Sequence, residues 1–196
     1  MATSTVLRRR ALWLEYLTIT WNVVEAVVAV TAGIAAGSIA LVGFGLDSFV
    51  EVFAASVVVW QLRGASEERE RRALRLIGAS FFFLAAYVTI EALRDLLMQS
   101  EAAESTVGIV LAAISLGVMP ALAYGKWKVG NAMISRTLLA DSKETLLCSY
   151  LSLILLVGLL LNATVGWWWA DPLAGLGIAF LAVREGLEAW RGEDDD

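Results

Sequence analysis

The sequence predicts an all-α membrane protein, a bundle of six transmembrane helices with both termini in the cytoplasm. Three observations predict it. Of 196 residues, 59% are hydrophobic and 18% charged, and the mean hydropathy is +0.70. A soluble domain is nearer about 45–50% apolar and about 25% charged, so the excess exceeds one buried core and suits an outer surface that meets lipid. The apolar residues fall in six stretches of membrane-crossing length, separated by short polar joints. The positive charges fall almost entirely on alternate joints.

The predicted spans are 11–35, 39–62, 73–97, 107–123, 137–161 and 167–190, within a single domain. Each is near the roughly 17–25 residues that cross about 30 Å of hydrocarbon, about twice the length of a barrel strand. The first follows Arg8, Arg9 and Arg10 as the core of a signal peptide would. Glu15, Asn22 and Glu25 interrupt it, and it is too long for such a core, so it reads as a retained helix. The joints are 37–38, 63–72, 99–105, 125–131 and 162–166. Residues 67–72 read as a solvated helix start and the terminal Asp194, Asp195 and Asp196 as a solvated tail. Asn162-Ala-Thr matches a glycosylation acceptor, but a site so close to the bilayer reads as chance.

Orientation follows from the cations. Arg8 to Arg10, the arginines of 63–75, Lys126, Lys128, Arg136, Arg184 and Arg191 all lie on one side. That is thirteen of the fifteen Lys and Arg, leaving only Arg94 towards the outer side and Lys143 inside a span. No basic nucleic-acid footprint is present. One Cys excludes an internal disulfide, and the lack of His removes the commonest metal ligand and neutral-pH proton shuttle.

Ionisable groups deep in a bilayer cost several kcal/mol each, which makes them functional candidates. Span 2 carries Asp47 and Glu51, four residues apart and so on one helix face. They repel each other, and neither ionises easily without a cation. Span 5 carries Asp141, Lys143, Glu144 and Cys148, with Glu144 and Cys148 again four apart. At about 1.5 Å per residue, Glu51 lies roughly 18 Å from the outer end of span 2, and Cys148 roughly 16 Å from the inner end of span 5. If the spans touch, Asp47, Glu51, Glu144 and Cys148 form one metal-ligating cluster near the midplane, where secondary transporters bind their substrates. The alternative is structural: protonated carboxyls bonded between helices, and Cys148 as a small packing residue. Lys143 is expected to reach the inner interface. Asp141 lies near the inner end, where it can line an entrance. Glu15 is expected to be solvated near the inner surface. Asn22 and Glu25 lie deeper, as lining or packing groups. Asp171 is expected to cap the helix that Pro172 starts.

The segment Gly37-Ser-Ile-Ala-Leu-Val-Gly-Phe-Gly-Leu-Asp-Ser-Phe-Val-Glu51 resembles the second transmembrane helix of cation diffusion facilitators, with Asp47 and Glu51 at the family's ligand positions. Leu139-Ala-Asp-Ser-Lys-Glu-Thr-Leu-Leu-Cys148 resembles the fifth, with Glu144 where the family usually has His and Cys148 where it usually has a second Asp. Gly166-Trp-Trp-Trp-Ala-Asp-Pro-Leu-Ala-Gly-Leu-Gly177 looks like the start of the sixth. The resemblance implies a multi-pass protein of the cell membrane that exports Zn²⁺ or a similar divalent ion in exchange for protons. It implies a tetrahedral site between helices two and five and commonly a homodimer. It implies no resident cofactor, the metal being cargo. The chain ends just after span 6, so the expectation is a transmembrane domain without the family's cytoplasmic metal-binding domain, and with much of the usual dimer contact gone. Two other classes compete. One is a membrane scaffold without transport. The other is an intramembrane enzyme using Cys148 as nucleophile, disfavoured because no His can serve as its base.

Overall fold

The computed structural model describes residues 2–63 and 67–191. They form six α-helices: α1 (Ala2–Ala36), α2 (Ile39–Leu62), α3 (Glu67–Met98), α4 (Thr106–Met133), α5 (Arg136–Val165) and α6 (Ala170–Arg191). Four contain stretches long and apolar enough to cross a membrane: Val6–Ala36, Ile39–Leu62, Thr106–Met133 and Thr137–Val165. Among the described residues α3 and α6 do not meet that measure, and they pack chiefly on each other. The other close pairs are α1 with α2 and α4 with α5. Joints of a few residues make chain neighbours run antiparallel. α2 is the hub, touching α1, α3, α5 and α6.

The bundle has an apolar outer face and an apolar core into which ionisable side chains are set. On α1 the residues Ala11, Glu15, Thr18, Asn22, Glu25 and Ala29 are all buried, at spacings of three and four that keep them on one face. Trp13, Leu17, Val24 and Val27 point outwards. Small residues let the helices meet closely. A Cβ on Gly45 of α2 would stand 2.9 Å from the Ala29 Cβ and from the Val30 backbone nitrogen, so glycine there keeps α1 against α2 just before Asp47.

Helix ends follow local chemistry. Ser38, Ser105 and Ser135 cap α2, α4 and α5, each hydroxyl accepting from the backbone N–H three residues on. Asp171 does something other than its sequence position suggests. It lies in the first turn of α6, but its carboxylate accepts from the Ser38 hydroxyl at 2.5 Å and from the Ala40 N–H at 3.4 Å. It therefore ties α6 to the start of α2, where the helix dipole favours an anion. Asn162 lies within α5 and its side-chain amide donates to the Ala102 carbonyl at 2.8 Å, so it is part of the packing at that end.

The expected joint at 125–131 is helix. α4 runs on to Met133, and the turn is Ile134, in the left-handed region at φ 53°, followed by Ser135. Gly130 serves packing, since a Cβ there would stand 3.0 Å from the Leu139 side chain. The extra two and a half turns carry Lys126 into the bundle.

Candidate metal centre

Asp47 and Glu51 on α2 face Cys148 on α5. The Cys148 Sγ lies 2.8 Å from Glu51 Oε2 and 3.1 Å from Asp47 Oδ2, and all three side chains are buried. One S–H proton cannot satisfy both carboxylates at once, and Glu51 Oε1 has no hydrogen-bond partner. Beside the trio is a cavity of about 20 Å³, lined by Asp47, Glu51, Glu144, Cys148 and Glu185 with apolar walls that include Phe81 and Leu151. About 10–15 Å³ suffices for one water, so the space admits one small species. Low-dielectric walls strengthen any charge interaction inside.

Glu144 lines this cavity half-buried, without a hydrogen bond to the trio. Among the described residues no three of the acidic and thiol side chains already close around one point as a ligand shell. The arrangement is a hydrogen-bonded trio with two further carboxylates at the wall.

Glu185 on α6 is the group sequence reading did not single out. It is buried, and its Oε1 has no hydrogen-bond partner. The signal was available: it lies fifteen residues into α6, roughly 22 Å from that helix's N-terminal end, close to the distance of Glu51 from the start of α2. Among the described residues none of Asp47, Glu51, Glu144 and Glu185 forms an ion pair with Lys or Arg.

A second buried cluster corrects two expectations. Lys126 is a buried helix residue and not a loop cation, and Glu15 is wholly buried and not solvated. The Lys126 Nζ lies 2.5 Å from Asp141 Oδ2 and 3.2 Å from Glu15 Oε2, and donates to the Thr145 hydroxyl at 3.0 Å. This triad joins α1, α4 and α5. Lys143, by contrast, is exposed. Asn22 turns its amide N–H back to the Thr18 carbonyl at 3.0 Å. Glu25 bridges α1, α2 and α4: it accepts from Ser48 at 3.0 Å and from Ser115, whose hydroxyl also receives the Trp21 indole N–H.

Comparison with known proteins bears on this arrangement. An uncharacterized transporter of Synechocystis sp. is 28% identical over 166 residues, 79% of this chain and 54% of that protein. Transmembrane protein 163 of Xenopus laevis is 24% identical over 188 residues, 92% and 66% of the two chains. Magnetosome protein MamB of Magnetospira sp. is 23% identical over 167 residues, 80% and 57%. The chain thus spans between about half and two thirds of the length of these relatives. The family model for the cation efflux transmembrane domain matches residues 75–191, which hold Glu144, Cys148 and Glu185, while Asp47 and Glu51 precede the matched stretch. The match covers more than half of the chain and the bundle is a multi-pass membrane fold, so the protein belongs to the cation efflux family.

Proposed function

We propose that this chain carries divalent transition-metal cations, Zn²⁺ foremost, out of the cytoplasm in exchange for protons. The proposed ligands are Asp47, Glu51, Glu144 and Cys148. The carrying observation is a thiol bridging two buried carboxylates, with no ion-paired cation among the described residues, beside a cavity sized for one small species. In a tetrahedral zinc site, Zn–S of about 2.3 Å and Zn–O of about 2.0 Å place sulfur and oxygen about 3.5 Å apart. The S···O distances of 2.8 and 3.1 Å would open by only about half an ångström to admit the ion. Rotation of the half-buried Glu144 side chain about its own bonds supplies the fourth ligand.

Exchange for protons follows from charge. A cluster of bare carboxylates is costly to keep in hydrocarbon, and bound metal or bound protons offset much of that charge. Protons and metal compete for the same oxygens, so each displaces the other. The basic end of the bundle is assigned to the cytoplasm, with both termini there.

Reconstitution into liposomes tests this. A pH gradient should drive Zn²⁺ movement, and Zn²⁺ binding should release protons and weaken as pH falls. Zn²⁺ flux indifferent to the gradient would establish uniport instead. Wild-type rates in both Asp47→Asn and Glu51→Gln would exclude the site.

A further inference from the structure

Away from the candidate metal centre, a groove of about 630 Å³ lies between α1 and α4 at the basic end. Its polar lining is Arg9, Arg10 and Lys128, and its apolar lining includes Trp13, Leu14 and Val129. The three cations are exposed, and none forms an ion pair among the described residues. Arg9 and Trp13 are four apart on α1, so charge and aromatic ring share a face. On α4, Tyr124 and Trp127 stack with ring centroids 5.9 Å apart and are exposed next to Lys128.

Depth defines the setting. Arg10 stands 26 residues from Ala36 at the other end of α1. At about 1.5 Å per residue and a tilt of about 20°, that places it roughly 7 Å beyond a hydrocarbon core of about 30 Å. Trp13 falls within roughly 2 Å of the same boundary, where Trp collects. Arg9 and Arg10 therefore stand at phosphate depth, with Lys128 across the groove and the apolar lining of Trp13 and Leu14 at the edge of the hydrocarbon.

We propose that this groove binds an anionic phospholipid. Arg9, Arg10 and Lys128 take the phosphate, and an acyl chain lies along Trp13, Leu14 and Val129. Arginine's planar fork suits phosphate oxygens, and basic pockets between transmembrane helices on the cytoplasmic side are suited to anionic headgroups. The lipid would link α1 to α4, the two helices that contribute Glu15 and Lys126 to the buried triad. The site shares no residue with the metal centre and does not depend on the transport reading.

The test is native mass spectrometry of the full chain extracted from vesicles of phosphatidylcholine mixed with phosphatidylglycerol. Wild type should retain phosphatidylglycerol over phosphatidylcholine. The Arg9→Gln, Arg10→Gln, Lys128→Gln variant should lose that preference by about tenfold or more, while Lys128→Arg alone keeps it. Added inorganic phosphate should not displace the lipid, because it lacks the chain. Four results would overturn the proposal: no preference in wild type; an equal fall for both lipids in the triple variant; displacement by free phosphate, meaning a phosphate site; or dissociation of a dimer in the triple variant without lipid loss, meaning an interface between copies.

Discussion

The bundle holds two clusters of buried carboxylates, and they differ in one respect that decides their roles. Towards the basic end, Glu15 and Asp141 are joined by Lys126. Seven residues further along α5, about 10 Å, Asp47 and Glu51 meet Cys148 with Glu144 and Glu185 at the cavity wall and, among the described residues, no ion-paired cation. Each cluster buries costly groups. In the first, a lysine of the chain itself pairs with both acids and pins the helices. In the second, the acids are left free to take the cation proposed above. A buried acid in a membrane bundle is thus uninformative until its partner is known.

The largest expected effect breaks the ion-paired cluster. Lys126→Met leaves Glu15 and Asp141 buried without their cation, and removing one partner of a buried pair costs roughly 3–5 kcal/mol. The thermal midpoint in detergent should fall sharply. The triple variant Lys126→Met, Glu15→Gln, Asp141→Asn removes all the charges together and should recover most of the loss. An unchanged midpoint in Lys126→Met would show that the triad does not hold α1, α4 and α5 together.

The metal centre should respond in the opposite way. Asp47→Asn and Glu51→Gln each delete one of two repelling acids, so the fold should be as stable as wild type or more so in the absence of metal. Zn²⁺ affinity should fall by about a hundredfold, on the order of 2.7 kcal/mol, as read by calorimetry on the purified protein. A variant that lost stability while binding Zn²⁺ normally would move that acid into the structural class and collapse the contrast between the clusters.

Position along a helix, a strong guide in a membrane protein, made much of the centre legible. Counting residues from the span ends brings Glu51 and Cys148 to one depth, with Asp47 a turn away on the same face, and the structure places both acids at hydrogen-bond distance from the sulfur. The same count applied to α6 reaches Glu185. Lys126 was hidden by its neighbours: Gly125, Lys128, Gly130 and Asn131 have the composition of a joint. The glycines answer to Leu14 and Leu139 packed on α4, and the helix continues. Glu15 was hidden for a related reason. A lone acid near a span end reads as solvated until a buried cation on another helix is known. Asp171 shows the same limit, since Pro172 suggests a local cap and only tertiary structure brings it to Ser38. Identity and depth are local properties, whereas charge partnership is settled by which helices meet.

Glu185 sharpens the boundary of the site. It shares the cavity without bonding to the trio. If it completes the negative shell, Glu185→Gln should weaken Zn²⁺ binding by about tenfold, about 1.4 kcal/mol, less than loss of either acid on α2. Affinity equal to wild type would restrict the shell to α2 and α5 and leave Glu185 as a wall.

The smallest expected effect lies in metal preference and rests on the sulfur. Carboxylate oxygens alone suit hard ions such as Mg²⁺, Ca²⁺ and Mn²⁺, whereas a thiolate favours Zn²⁺, Co²⁺ and softer ions. Cys148 stands between Asp47 and Glu51 at hydrogen-bond distance from both, so any ion those two acids share is also within reach of the sulfur. A bound cation holds a coordinating thiol deprotonated, which its apolar walls would otherwise oppose. Cys148→Ser keeps the size and the hydrogen bonds but removes the soft donor. Zn²⁺ and Co²⁺ transport should fall several-fold more than Mn²⁺ transport, and the preference should narrow without total loss, because the carboxylates remain. Cys148→Asp should retain activity with a shift towards Mn²⁺, since it supplies a fourth hard ligand in the same place. The measurement is competitive uptake of the three ions into the same liposomes, so that differences in protein amount cancel. An unchanged ratio in Cys148→Ala would reduce the cysteine to packing and leave the oxygen ligands alone to select the ion.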